Sequence, residues 1–113
     1  MSVMSKKTLD FDESYIRKIL EGKKVTTIRK GIRDFKIGDR VLITSQNRIY
    51  AEAEITGVKY TRISELTEED AVRDGFLTKE ELLKALKKYY GQIKTNDAIT
   101  IIHFKLLKKF SDY

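Results

Sequence analysis

The stretch Ile49-Tyr50-Ala51-Glu52-Ala53-Glu54-Ile55 alternates strictly, with Ile49, Ala51, Ala53 and Ile55 on one face and Tyr50, Glu52 and Glu54 on the other. A period of two marks a strand with one face on a core and the other in water, so this segment predicts a half-buried antiparallel strand. Upstream, Ser45 to Arg48 reads as a hairpin loop from a strand over Arg40 to Thr44, which the turn Ile37-Gly38-Asp39 precedes. Downstream, Val58 to Ile63 continues or bends the sheet past Gly57. The longest apolar run, Ile99-Thr100-Ile101-Ile102-His103-Phe104 within Ala98 to Leu107, predicts a central strand buried on both faces.

Helices flank these strands. Asp10 or Asp12 can accept the orphan N–H groups of a first helix whose apolar side is Tyr15, Ile16, Ile19 and Leu20, and Gly22 ends it. Thr67 with Asp70 and Thr78 with Glu81 have capping-box spacing, which opens a helix over Glu68 to about Asp74 and another carrying Leu82, Leu83, Leu86, Tyr89 and Tyr90. Gly75 and Gly91 close them. Helix, strands, helices and a last strand predict an α+β domain of mostly antiparallel, short strands able to curl into a small β-barrel with flanking helices. A length of 113 residues suits a single domain over residues 1–113.

Composition narrows the chemistry. The chain has no cysteine, which removes zinc ribbons, thiol nucleophiles and disulfide scaffolds, and its one histidine, His103, leaves no multi-histidine metal centre. Neither a metal nor a cofactor is expected, and His103 within the apolar run reads as a structural histidine. The N-terminal MSVMSKK lacks a long apolar run and no segment approaches the ~20 apolar residues that span a bilayer. A cytoplasmic protein without a membrane partner is the expectation. The net charge is +6, unevenly spread: Arg29, Lys30, Arg33, Lys36 and Arg40 face only Asp34 and Asp39, residues 64–81 are acidic, and lysines return from Lys84 onward. A solvated surface and a nucleic-acid footprint both explain such lysines.

The densest functional candidate is Gly22-Lys23-Lys24-Val25-Thr26-Thr27-Ile28-Arg29, which packs amines, hydroxyls and a guanidinium into a helix-to-strand junction. Threonine's preference for strands accounts for part of it. Alternation puts Thr27 and Arg29 on one face and Thr26 and Ile28 on the other. An Ile28 turned to the core leaves a guanidinium free for phosphate or base.

Together with Tyr15-Ile16, Ile19-Leu20, Gly38-Asp39, Ala51-Glu52-Ala53-Glu54-Ile55, Leu66-Thr67 and Ala71, Asp74-Gly75-Phe76 and Ile101-Ile102-x-Phe104, this block resembles the ASCH domain of the PUA-like superfamily over nearly the whole chain. The resemblance implies a small barrel with flanking helices and a cleft for RNA or a modified nucleoside. Charge and position make Lys23, Thr26, Arg29, Lys30, Arg33 and Tyr89 the expected binding residues, with Arg29, Lys30 and Arg33 on phosphate. The resemblance also implies an alternative function. A branch of that family hydrolyses the acetyl amide of N4-acetylcytidine with a lysine, a threonine and a glutamate, and these match Lys24, Thr27 and, one methylene shorter, Asp74. Because residues three apart on a regular strand face opposite ways, Lys24 must lie on a loop or bulge to meet Thr27.

Overall fold

The computed structural model describes residues 7–110; the first six residues of the N-terminal stretch lie outside the described residues. The elements are β1 (Lys7–Asp10), a 3-10 turn (Glu13–Tyr15) running into α1 (Ile16–Leu20), β2 (Thr26–Lys30), β3 (Arg40–Ser45), β4 (Arg48–Arg62), a second 3-10 turn (Ile63–Glu65), α2 (Glu68–Arg73), α3 (Lys79–Tyr90) and β5 (Ala98–Lys109). The strands form one mixed sheet in the order β1-β3-β4-β5-β2. Pairing is antiparallel for β2 with β5, β3 with β4 and β4 with β5, and parallel for β1 with β3. The result is an α+β half-barrel whose edge strands are β1 and β2.

The β3–β4 hairpin turns on Gln46 and Asn47, both at positive φ (50° and 64°), the conformation of a two-residue turn whose twist matches that of the strands. Just beyond it the register passes from Ile43 opposite Ala51 to Thr44 opposite Ile49, so Tyr50 is an extra residue in β4. This corrects the strict alternation read from the sequence. Tyr50 turns inward and is only 2% exposed, whereas Ile49, expected on the buried face, is 51% exposed. Past the bulge Ala51, Ala53 and Ile55 are fully buried, as the period of two requires.

β5 is buried on both faces because the half-barrel has a core on each side of it. Ile102 and Phe104 join Leu9, Ile16, Ile19, Val41, Ile43, Tyr50 and Ile55 in one cluster. Ile99 and Ile101 join Ile28, Ile63, Leu66, Ala71, Leu82 and Leu86 in the other, under α2 and α3. His103 is half-buried, and its ring packs so closely on Gly57 that a Cβ there would approach its Cδ2 to 3.2 Å. Asp12, not Asp10, caps the first helical segment, its carboxylate accepting from Ser14 N at 3.1 Å. β1 has no counterpart in the sequence reading. No helix among the described residues is long and apolar enough to cross a membrane.

The bulge makes a sharp distinction between neighbours. Ile49→Lys should shift unfolding stability by no more than about 0.5 kcal/mol, and Tyr50→Ala should cost about 3–5 kcal/mol, both read by urea denaturation. Unbroken alternation would give the reverse order.

Candidate functional site

The site is built where the loop before β2 grips the end of α2. α2 opens on a reciprocal capping box, with Asp70 N donating to Thr67 Oγ1 at 3.1 Å and Thr67 N to Asp70 Oδ2 at 2.9 Å. It ends at Asp74, after which Gly75 takes a φ of +93°. Three successive carbonyls there are held from the other side of the site: Arg73 O accepts from Val25 N at 2.8 Å, Asp74 O from Lys24 Nζ at 2.9 Å, and Gly75 O from Lys18 Nζ at 2.9 Å. Gly75 is required twice over, since a Cβ would also come within 3.3 Å of Lys24 Cβ. Lys24 itself lies on the loop, as its separation from Thr27 demands; Gly22 at a φ of +77° turns the chain, and Lys23 N and Lys24 N both bond back to Lys18 O at 2.8 and 3.1 Å.

At the centre, Asp74 Oδ1 stands 3.1 Å from Lys24 Nζ and accepts from Thr26 Oγ1 at 2.9 Å. Lys24 and Asp74 are each only 4% exposed. The Lys24 ammonium also sits over three aromatic rings, those of Tyr15 (5.1 Å), Phe11 (5.9 Å) and Phe76 (5.9 Å). Burial pulls the Lys24 ammonium below the ordinary lysine range, with Asp74 opposing the shift. It likewise pushes the Asp74 carboxyl above the ordinary aspartate range against Lys24 and Thr26. Desolvation disfavours both charges, so the neutral amine and neutral acid lie closer to the ion pair in free energy than they do in water.

Next to this pair, Thr27 is buried and its Oγ1 accepts from Arg29 Nε at 2.8 Å. Arg29 Nη2 donates to Asp10 O at 2.8 Å, and the guanidinium lies 5.0 Å from the Phe11 ring centre. Lys24, Thr27, Arg29 and Asp74 share one cleft of ≈ 490 Å³, open mouth included. The segment after β1 supplies Phe11, Asp12 and Tyr15 to its wall, and α3 supplies Leu86, Tyr89 and Tyr90. Tyr89 is 69% exposed at the mouth with its ring edge-on to Tyr90, centroids 4.8 Å apart, and the Tyr90 hydroxyl accepts from Lys30 N at 3.1 Å.

Other residues named from the sequence stand elsewhere. Thr26 points at Asp74 and not at the cleft, which it does not line. Lys23 is exposed and pairs with Glu21 at 3.5 Å. Lys30 Nζ reaches Asp97 at 3.6 Å and Gln92 O at 3.3 Å, and Arg33 Nε donates to Lys30 O at 2.9 Å; neither lines the cleft. Glu52 and Glu54 face Arg40 at 3.9 and 3.8 Å. Among the described residues no three His, Cys, Asp or Glu side chains cluster as metal ligands would. Phe11, Asp12 and Tyr15 escaped the sequence reading as wall residues because only the turn after β1 brings them to β2.

A five-stranded half-barrel with flanking helices and a cleft beside its edge strand defines a PUA-like fold. A family model for the ASCH domain matches residues 3–108, and the chain belongs to the ASCH domain family. Solved structures agree on the fold. The ASCH domain of Lactobacillus crispatus JV V101 superposes with a TM-score of 0.79 at 17% identity, over 92% of this chain and 80% of that one. A protein of Enterococcus faecalis V583 gives 0.77 at 15% identity over 100% and 87%. The S128A variant of the ASCH protein of Zymomonas mobilis gives 0.65 at 14% identity over 92% and 72%. No curated protein matches the chain in sequence.

Removing one member of a buried ion pair strands the other. Asp74→Ala should therefore destabilise the protein by about 3–5 kcal/mol, whereas the double variant Lys24→Met with Asp74→Leu should recover most of that loss. Denaturant titration of both checks it.

Proposed function

We propose that the cleft receives a modified pyrimidine base, as a free nucleoside or an unstacked residue of RNA, and that Lys24, Thr27 and Asp74 hydrolyse an acyl amide on it. The observation that carries this reading is the burial of an amine, a carboxyl and a hydroxyl in one aromatic-lined cleft. Aromatic walls suit the face of a base. The family resemblance supplies the reaction class, and the shorter acid is compatible with it in one respect: Asp74 still reaches Lys24 at 3.1 Å.

The chemistry closes on itself. Proton transfer within the ion pair gives neutral Lys24 and protonated Asp74, the form that burial of both groups favours. Lys24 Nζ takes the Thr27 hydroxyl proton as Oγ bonds to the acyl carbon, and the carbonyl π electrons move to its oxygen. When the tetrahedral adduct collapses, the C–N bond breaks and Asp74 protonates the leaving nitrogen. Water then attacks the Thr27 ester, passing a proton to Asp74, and Thr27 Oγ leaves with the proton held by Lys24. The net reaction is amide plus water to carboxylic acid plus amine.

Each turnover begins and ends with a single proton shared by the Lys24–Asp74 pair. The rate should follow a bell in pH, with an acid limb above the ordinary aspartate range and an alkaline limb below the ordinary lysine range. Incubation with N4-acetylcytidine should release cytidine, and Lys24→Ala, Thr27→Ala and Asp74→Asn should each lower the rate by about 100-fold or more. No release by the intact protein would defeat hydrolysis of that substrate.

Binding without turnover is favoured by a separate observation, the exposed Tyr89 ring at the cleft mouth, placed to stack on a base splayed from single-stranded RNA. If Lys30 and Arg33 contact phosphate, affinity for an RNA oligonucleotide should fall steeply as salt rises. Salt-independent binding would remove those contacts from the account.

A further inference from the structure

We propose that Arg29 is the positioning residue of the Thr27 hydroxyl: its guanidinium, anchored on the Asp10 carbonyl and the Phe11 ring, fixes Thr27 Oγ as an acceptor and stabilises the charge that grows there. This rests on the amide-hydrolysis reading above. It assigns to the inside of the cleft a residue whose type and strand position suggest a phosphate contact.

A threonine hydroxyl has one proton to donate and two lone pairs to offer, and it rotates to suit its partners. A guanidinium has donors only. The 2.8 Å bond from Arg29 Nε therefore has a single possible polarity: Oγ accepts, and its own proton must point elsewhere. One lone pair is taken, leaving the proton for a base and the second lone pair for an electrophile. A water or an amide in the same place would allow the hydroxyl to turn and donate, which would blunt it as a nucleophile.

The guanidinium is held so that this bond has a fixed direction. Nη2 donates to Asp10 O at 2.8 Å, and the Phe11 ring lies 5.0 Å away. Asp10 is the last residue of β1 and Arg29 belongs to β2, so the arginine spans the two edges of the half-barrel. An arginine that grips phosphate presents its fork of N–H groups outward. Here Nε and Nη2 both donate to groups of the chain itself, Thr27 Oγ1 and Asp10 O.

The same bond gains strength as the reaction proceeds. As Oγ yields its proton to Lys24 Nζ, partial negative charge develops on the atom that the Nε–H already faces, before the new bond to the acyl carbon passes that charge to the carbonyl oxygen, and the Nε–H bond strengthens over that interval. Breakdown of the Thr27 ester passes through the same charge in reverse. Arg29 keeps all of its protons in both steps. Lysine at this position supplies charge but cannot hold Thr27 and Asp10 together in one planar fork.

The test compares wild type, Arg29→Lys and Arg29→Ala, with thermal unfolding confirming that each is folded. On N4-acetylcytidine, Arg29→Lys should lose about 100-fold or more in kcat with KM changed by less than about threefold, and methylguanidinium should restore part of the kcat of Arg29→Ala. An unchanged kcat with a raised KM would make Arg29 a substrate contact and overturn the proposal. A second readout does not use the amide: acetylation of Thr27 by p-nitrophenyl acetate, followed by peptide mass spectrometry, should be seen in wild type and be lost in Arg29→Lys. Arg29-dependent acetylation without amide turnover would retire the amide reading and keep the role of Arg29. Turnover or acetylation that ignores residue 29, or a wild-type Thr27 that accepts no acetyl group, would overturn it. Should Arg29→Ala unfold, Arg29→Met keeps the apolar stem against Phe11 and serves in its place.

Discussion

The ion pair between Lys24 and Asp74 is the constraint around which the rest of this structure is arranged. Each member is almost wholly removed from water, and desolvating two charges is costly enough that the pair alone would not be a source of stability. What makes it tenable is the number of further contacts on the same atoms. Thr26 Oγ1 shares Asp74 Oδ1, the Asp74 carbonyl takes the lysine a second time, and three aromatic rings surround the ammonium. Each of those partners has its own position fixed by the fold. The capping box of α2, the positive φ of Gly75 and the turn at Gly22 all serve to bring one lysine against one carboxylate. A core built for stability alone would place apolar residues here, and the buried pair is what singles this cleft out as the candidate site.

Much of this arrangement was legible in the chain. The helix ends were, because capping residues and glycines act locally: Thr67 with Asp70, Thr78, Gly22, Gly75 and Gly91 all sit where their chemistry implies. The double burial of β5 was legible in a run of apolar residues without alternation. Once the resemblance pairs Lys24 with Thr27, strand geometry requires Lys24 to stand on a loop or a bulge, and it stands on the loop. The pairing of Lys24 with Asp74, fifty residues away in sequence, came only from the family resemblance.

What sequence could not give were the features decided by partners distant in the chain. β1 is four residues with only Leu9 buried, so it shows no period; it is a strand because β3 runs parallel beside it. The extra residue at Tyr50 is invisible to alternation, since one inserted position swaps the faces of everything before it. The directions taken by the basic cluster were hidden for a related reason. Lys30, Arg33 and Arg29 are neighbours in sequence, but Lys30 lies against Asp97, Arg33 returns to Lys30 O, and Arg29 alone enters the cleft. Charge counts register how many cations there are and not which way each side chain turns.

The cleft exists because the barrel is not closed. Among the described residues β1 and β2 share no ladder, and a complete barrel would have joined these edges with backbone hydrogen bonds and filled the space between them. Here the gap is bridged by a side chain, Arg29 reaching from β2 to the carbonyl at the end of β1, and roofed by the Leu86, Tyr89 and Tyr90 side of α3. An unpaired strand edge is ordinarily a liability for a sheet, one that proteins cover or charge. In this fold covering the edge and building the site are the same act: the residues that line the seam are the ones that hold Thr27, Lys24 and Asp74 out of bulk water. Any sequence change that zipped β1 onto β2 would remove an exposed edge and, with it, the space that the cleft occupies.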